Sequence, residues 1–95
     1  MVIEHVILSV HKGQTAAFEQ AMDEARHVLL SASGCHAVSL ARGIETPTKY
    51  YMQARWDSVD AHMAFAASEG INSFRALVGH FFSERPQMEH FSPLF

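Results

Sequence analysis

The first apolar run constrains this chain more than any other feature. Residues 2–10, VIEHVILSV, place Val2, Val6, Leu8 and Val10 on one strand parity and Ile3 and Ile7 on the other. Strands with one solvated face alternate cleanly between apolar and polar residues; this one does not, so both of its faces call for cover. The chain has 95 residues, enough for a single domain. A folded chain of this mass exposes roughly 5,500 Å² and hides about 64% of the surface that its unfolded form would show. Such a thin core covers one face of a sheet, and the run therefore predicts that a second copy covers the other. Composition points the same way, with 48% hydrophobic and 18% charged residues against a usual charged share of about 25%.

The run ends at the breaker pair Lys12-Gly13. From Gln14 to about Ser31, Phe18, Ala21, Met22, Ala25 and Leu29 recur at helical spacing, while Glu19, Asp23 and Arg26 fall on the opposite side, which predicts an amphipathic helix. Ser33-Gly34 stops it. Residues 35–42 (CHAVSLAR) and 49–56 (KYYMQARW) read as two strands joined by the Gly- and Pro-containing segment 43–48 (GIETPT). Asp57-Ser58-Val59-Asp60 offers a helix cap with an acid three positions on, followed by helix formers from Ala61 to Ala67. Gly70 is expected to break that helix. A third, more apolar one carries Ile71, Phe74, Leu77, Val78, Phe81 and Phe82 up to Pro86. Gln87 to Phe91 can form a last strand before the tail Ser92–Phe95. The order βαββααβ is the α+β, ferredoxin-like split βαβ arrangement, one domain over residues 1–95 with an antiparallel sheet. Leu94 and Phe95 extend the apolar surface, and contiguous apolar surface marks a partner site.

Several function classes are disfavoured. Seven Lys and Arg against ten Asp and Glu give a formal charge of -3, with the basic residues scattered singly, which speaks against nucleic-acid binding. The lone Cys35 has no internal disulfide partner, and the N-terminal stretch lacks the basic region and cleavage site of a secretory signal. A reduced, cytoplasmic protein is the expectation. No apolar run approaches the roughly 20 residues that span a bilayer. The glycines at 13, 34, 43, 70 and 79 stand alone, so no dinucleotide fingerprint or phosphate loop is present, and neither flavin nor nicotinamide is expected as a built-in cofactor. No G-x-S-x-G elbow exists, and Cys35 at a strand start reads as a buried structural thiol.

Seven histidines remain, and imidazole is the side chain best matched to proton transfer near neutral pH. None forms H-x-H or H-E-x-x-H, so no metal site is assigned. His11 and His27 read as solvent-facing; His5, His36 and His90 lie in strands; His62 and His80 lie beside the apolar stripes of the later helices. Trp56 at a strand end and His62 one helical turn beyond the cap adjoin the region where helices meet sheet. A pocket there would be walled by Trp56, Phe65, Phe74, Val78 and Phe81, an apolar and aromatic lining suited to flat organic molecules. Those same aromatics also read as plain core. Arg75, next to Phe74, could reach a phenolate or carboxylate, or could simply be solvated.

Taken together, Gly34-Cys35, Arg42-Gly43-Ile44-Glu45 with Pro47, Trp56-Asp57-Ser58 with Ala61-His62 and Phe65, and Pro86 with Glu89-His90-Phe91 resemble the antibiotic biosynthesis monooxygenase domain. The resemblance covers nearly the whole chain and implies a dimeric α+β barrel of ferredoxin-like halves. It also implies oxidation of a small aromatic substrate, a quinol, anthrone or related phenolic, by dioxygen as co-substrate, without flavin, metal or haem. By that analogy His62 or His80 would be the base, Trp56 a stacking wall and Arg75 an anion partner, with Phe65, Phe74, Val78 and Phe81 lining the substrate site. A haem-degrading branch of the superfamily is a poorer match. Its strand-one Asn position holds Val6, and His80 lies about two residues from where its iron ligand would fall. The same barrel also serves as a non-catalytic ligand-binding module, because a fold does not determine a function.

Overall fold

A computed structural model describes all 95 residues. Strands β1 (Val2–Ser9), β2 (Cys35–Arg42), β3 (Lys49–Trp56) and β4 (Gln87–Phe91) form one sheet in the order β2-β3-β1-β4. All neighbours run antiparallel, with Val2 opposite Trp56 on β3 and Ile3 opposite Phe91 on β4. Helices α1 (Thr15–Leu30), α2 (Val59–Ala66) and α3 (Glu69–Val78) follow the predicted order. They supply the buried partners of one sheet face. Phe18, Met22, Ala25 and Leu29 of α1 and Phe74 and Val78 of α3 join Val6, Leu8, Tyr50, Met52, Ala54 and Trp56 in a single core. No helix is long and apolar enough to cross a membrane.

Three local details differ from the expected pattern. The break between the second and third helices falls at Ala67 and Ser68, not at Gly70. The Ser68 side chain caps α3 by accepting from the Gly70 N–H at 3.1 Å, and Gly70 sits inside the new helix. Its lack of a side chain serves packing, since a Cβ there would lie 2.6 Å from Phe65 Cε1. At α2 the cap is Ser58, accepting from the Ala61 N–H at 3.1 Å. The last helix ends well before Pro86: Gly79–Phe81 tighten into a 3₁₀ turn and Phe82 turns extended, bridging Val10.

The other face of the sheet has no helix on it. Ile3, His5, Ile7, Tyr51 and Gln53 are only half-buried there, and His5 lies edge-on between Tyr51 and Phe91, with centroids 4.5 and 5.3 Å away. The chain exposes 5906 Å², above the roughly 5,500 Å² typical of its mass. Phe91, Leu94 and Phe95 are exposed. Both strand parities of β1 thus carry apolar groups, as the sequence shows, but only one is covered by this chain.

Candidate functional site

The covered face carries one acid. Glu4 shares the parity of Val6 and Leu8, so β1 turns its carboxyl toward the helices, where only 6% of the residue stays exposed. Its cross-strand neighbours are the small Ala54 on β3 and His90 on β4. The small side chain at 54 lets the indole of Trp56, two residues on along the same face, reach back to Glu4. Trp56 Nε1 donates to Glu4 Oε1 at 3.0 Å, and Trp56 is itself fully buried.

The turn after β3 positions the second group. Gly34 adopts φ +87°, a left-handed conformation that glycine takes without steric cost, and its carbonyl accepts from the Asp57 N–H at 2.8 Å. A Cβ at 34 would come 2.9 Å from the Ala61 Cβ, so glycine is what lets α2 start this close to the sheet. Ser58 then fixes the helix start, and one turn later His62 lies stacked on the Trp56 indole, centroids 4.9 Å apart and planes 24° apart. His62 Nε2 stands 3.4 Å from Glu4 Oε1. On the far side of the ring, Nδ1 lies 2.7 Å from Nε2 of the half-buried His90, so one imidazole donates to the other.

Glu4, Trp56, His62 and His90 therefore form a continuous polar line through an apolar interior. No Lys or Arg pairs with Glu4. Burial, only partly offset by the Trp56 hydrogen bond, holds its carboxyl above the ordinary carboxylate range. Burial, with His90 adding to it, lowers the His62 imidazole to about 4, so His62 is neutral at pH 7. Glu4 also lines a cavity of about 190 Å³ between β1 and α3. Val6, Leu8, Met52, Phe74, Phe82 and Met88 make its apolar walls, and the exposed Arg75 stands at its rim. A largely apolar cavity with a single buried carboxyl on its wall suits proton exchange with a small, weakly acidic ligand.

Several of the residues singled out in the sequence meet here. Trp56 and His62, stacked on each other, both reach Oε1 of the Glu4 carboxyl, and Phe74 and Arg75 line the cavity. Phe65 packs against Trp56, centroids 5.7 Å apart, and borders a separate cleft. Val78 and Phe81 are core residues outside the cavity, Phe81 lying edge-on to Phe18. His80 is exposed, leans on Phe81 and does not reach this site. It lies in the 3₁₀ turn, off the face that carries Ile71, Phe74 and Arg75 to the cavity. Cys35 is buried, with its thiol pushed up by that burial, in line with a structural role. No group of three or more His, Cys, Asp or Glu is arranged to hold a metal ion. Glu4 is the residue that sequence reasoning passed over, and its signal was present. It is the one charged side chain on the core parity of the first strand.

Comparison with known proteins places this geometry. Residues 1–77 match the family model described as antibiotic biosynthesis monooxygenase. A crystal structure of a Bordetella bronchiseptica protein assigned to the antibiotic biosynthesis monooxygenases is 37% identical, with a TM-score of 0.95 over 99% of this chain and 97% of that one. SnoaB of Streptomyces nogalater, a cofactor-independent oxygenase solved as a variant, shares the fold at 20% identity, with a TM-score of 0.83 over 97% of this chain and 91% of its own. The Bacillus subtilis protein YczJ is 28% identical over 92 residues, 96% of this chain and 97% of its own. With the family match running through Glu4, Trp56, His62, Phe74 and Arg75, and a 37% identical relative spanning the whole fold, the chain belongs to the antibiotic biosynthesis monooxygenase family.

Proposed function

We propose that this protein is a cofactor-independent monooxygenase that oxidises a small phenolic substrate with dioxygen in the cavity between β1 and α3. The observation that carries the reading is the cavity itself, apolar on most of its wall and provided with one uncompensated buried carboxyl. An electron-rich phenolate can reduce dioxygen by one-electron transfer, so the protein has to remove a proton, exclude water and stabilise the resulting anion. The Glu4–His62 cluster supplies proton transfer. The apolar walls exclude water, and Arg75 at the rim can face the developing negative charge. For a quinol, one oxygen atom enters the ring and the other leaves as water with two of the quinol's hydrogens, so the reaction balances without a further reductant. A family described as antibiotic biosynthesis monooxygenase, and a cofactor-independent oxygenase that has the same fold, support the reading.

Cavity size narrows the substrate. About 190 Å³ is below the roughly 300 Å³ at which pockets for drug-sized ligands begin, which favours a one- or two-ring quinol over a three-ring anthrone. The test is oxygen uptake by metal-free protein with a panel of benzo- and naphthohydroquinones, catechols and anthrones, each corrected for autoxidation. Protein-dependent uptake, strongest with the smaller quinols, is the expected result. Tight binding of a panel member with no uptake would overturn the oxygenase and leave a ligand-binding module.

The working form is a homodimer in which two open sheet faces pack together. The half-buried Ile3, Ile7 and Tyr51, the exposed Phe91 and the apolar tail support this, since a monomer has nothing to cover them. Sedimentation equilibrium at micromolar concentration should give twice the 10.6 kDa chain mass. Ile7→Lys, which puts a charge on that face without touching the cavity, should give the single mass; a wild-type monomer would refute the dimer.

A further inference from the structure

We propose that Glu4 is the group that takes the substrate's proton, and that His62 and His90 form a relay carrying protons between Glu4 and the solvent while substrate fills the cavity. The proposal rests on the oxygenase reading above and assigns the proton chemistry within it.

Position is the first argument. Glu4 lines the cavity and His62 does not; His62 is stacked on Trp56, behind the carboxyl's Oε1. Both of Glu4's contacts, Trp56 Nε1 at 3.0 Å and His62 Nε2 at 3.4 Å, fall on the same oxygen, Oε1. Oε2 has no hydrogen-bond partner in the protein and is not sealed in, so it is the atom open to a ligand. A carboxyl that meets its protein partners through one oxygen keeps the other as a free basic site.

Continuity is the second. Each neutral imidazole has one N–H and one bare nitrogen at separate positions on the ring, so it can take a proton on one side and release one from the other. His62 presents Nε2 to Glu4 and Nδ1 to His90 Nε2 at 2.7 Å. His90 sits half-buried on β4, an edge strand paired only with β1, and its Nδ1 has no protein partner. The line runs from the cavity wall to the half-buried His90; its His62–His90 step is a hydrogen bond, and its 3.4 Å Glu4–His62 step has to close to hydrogen-bond geometry as the proton passes. A structural use of Glu4 would need only the Trp56 hydrogen bond. It would not call for two histidines in series behind it.

The proton steps balance. The phenol O–H proton moves to the Glu4 carboxylate and leaves a phenolate. A half-turn of the neutral carboxyl exchanges its two oxygens and brings that proton to His62 Nε2, which takes it as the Nδ1 proton of His62 moves to His90 Nε2 and the Nδ1 proton of His90 passes to water. Concerted transfer avoids an imidazolium, which the burial of His62 disfavours. A proton returning by the same route resets both rings and reaches the reduced oxygen through Glu4, as the formation of water requires. His90 lies outside residues 1–77, the part of the chain that the family match covers. The relay is therefore read from this chain's own geometry.

The test compares Glu4→Gln, His90→Ala and the wild type on whichever quinol the panel identifies. Glu4→Gln keeps the acceptor for Trp56 and removes the base. It should lower kcat by about 100-fold or more, the usual range for losing a general base, with KM within about threefold. His90→Ala should lower kcat by about tenfold, and free imidazole should restore it, because a small diffusible base can replace a missing relay group and cannot repair a packing defect. The pH profile of kcat/KM is read with His62, His90, Arg75 and Cys35 in mind, the titratable or charged groups around Glu4. Its acidic limb should disappear in Glu4→Gln. Undiminished turnover in Glu4→Gln would overturn the base and leave the oxygenase standing. Wild-type turnover in His90→Ala, or a loss that imidazole does not restore, would overturn the relay. No uptake by wild type on any quinol would overturn the oxygenase reading itself, so the three failures are distinguishable.

Discussion

Two carboxylates approach aromatic side chains from the covered side of the sheet, and their surroundings differ in one respect. Glu19 on α1 accepts from the Tyr50 hydroxyl at 2.6 Å and has the Arg42 guanidinium 3.4 Å away; Arg42 also reaches Thr15 at 3.2 Å and lies over the Tyr50 ring. Glu4 accepts from the Trp56 indole at 3.0 Å and has only a neutral imidazole beside it. In the first cluster a cation and solvent stabilise the charge, so the cluster ties α1 to the β2–β3 hairpin and nothing is left to react. In the second, the charge is desolvated and uncompensated. Such a group costs stability and is retained where its basicity is used.

The largest way to break this contrast is to remove the aromatic that holds Glu4. Trp56→Ala should destabilise the fold by about 3–5 kcal/mol, the usual cost of emptying a buried large aromatic site, and it also strips Glu4 of its hydrogen bond. Denaturant melts would show it. A cost below about 2 kcal/mol would mean that the site collapses readily and that the indole does not organise it.

A sharper test uses pH. His62 is lowered from 6.5 to about 4, so between those values the folded state binds fewer protons than the unfolded one, and stability rises with pH across that window. Glu4 is raised above 4.5; from 4.5 up to its folded value the folded state binds more protons, and stability falls as pH rises. The two slopes oppose each other where they overlap, so the wild type should rise less steeply there than a protein without the Glu4 carboxyl. Glu4→Gln should expose the His62 slope, a gain of roughly 2–3 kcal/mol from pH 4 to 6.5 at about 1.4 kcal/mol per unit. His62→Asn should expose the opposite one. Chemical denaturation at a series of pH values separates them, and parallel profiles in all three proteins would show that the two groups are not buried as described.

How much of this was legible in the residues depends on what each signal measures. Element order was readable because periodicity reports which side of an element is covered: Phe18, Met22, Ala25 and Leu29 mark one face of α1, and all four are buried. The break before α3 was misplaced because Gly70 was read for flexibility, when Ser68 capping and the close approach of Phe65 decide the matter. Trp56 and His62 stood out by type and spacing. Glu4 did not, since an acid in a strand reads as solvated until the parity of its neighbours is weighed. His90 could not be paired with His62 from the sequence, because 28 residues separate them and only the β1–β4 register brings them together. His80 was drawn in by a helical stripe that ends one turn too early to carry it to the site.

The smallest expected effect lies at the other cluster and is the most specific. Tyr50→Phe removes one hydroxyl and its bond to Glu19 while leaving the buried ring in place against Phe18. Glu19 keeps Arg42 and is 44% exposed, so water replaces the lost donor. The cost should be about 1 kcal/mol, which for a domain of this size lowers Tm by roughly 4–8 °C. Desolvation, reinforced by Glu19, pushes the Tyr50 hydroxyl up to about 12, so it stays protonated below that, and the Tyr50→Phe cost should be constant from pH 5 to 9. At the Glu4 cluster the cost of Glu4→Gln varies with pH, because that substitution removes a group whose titration is shifted by burial. A pH-independent loss at one carboxylate and a pH-dependent one at the other is what separates a charge held by its partners from a charge held in readiness for a ligand.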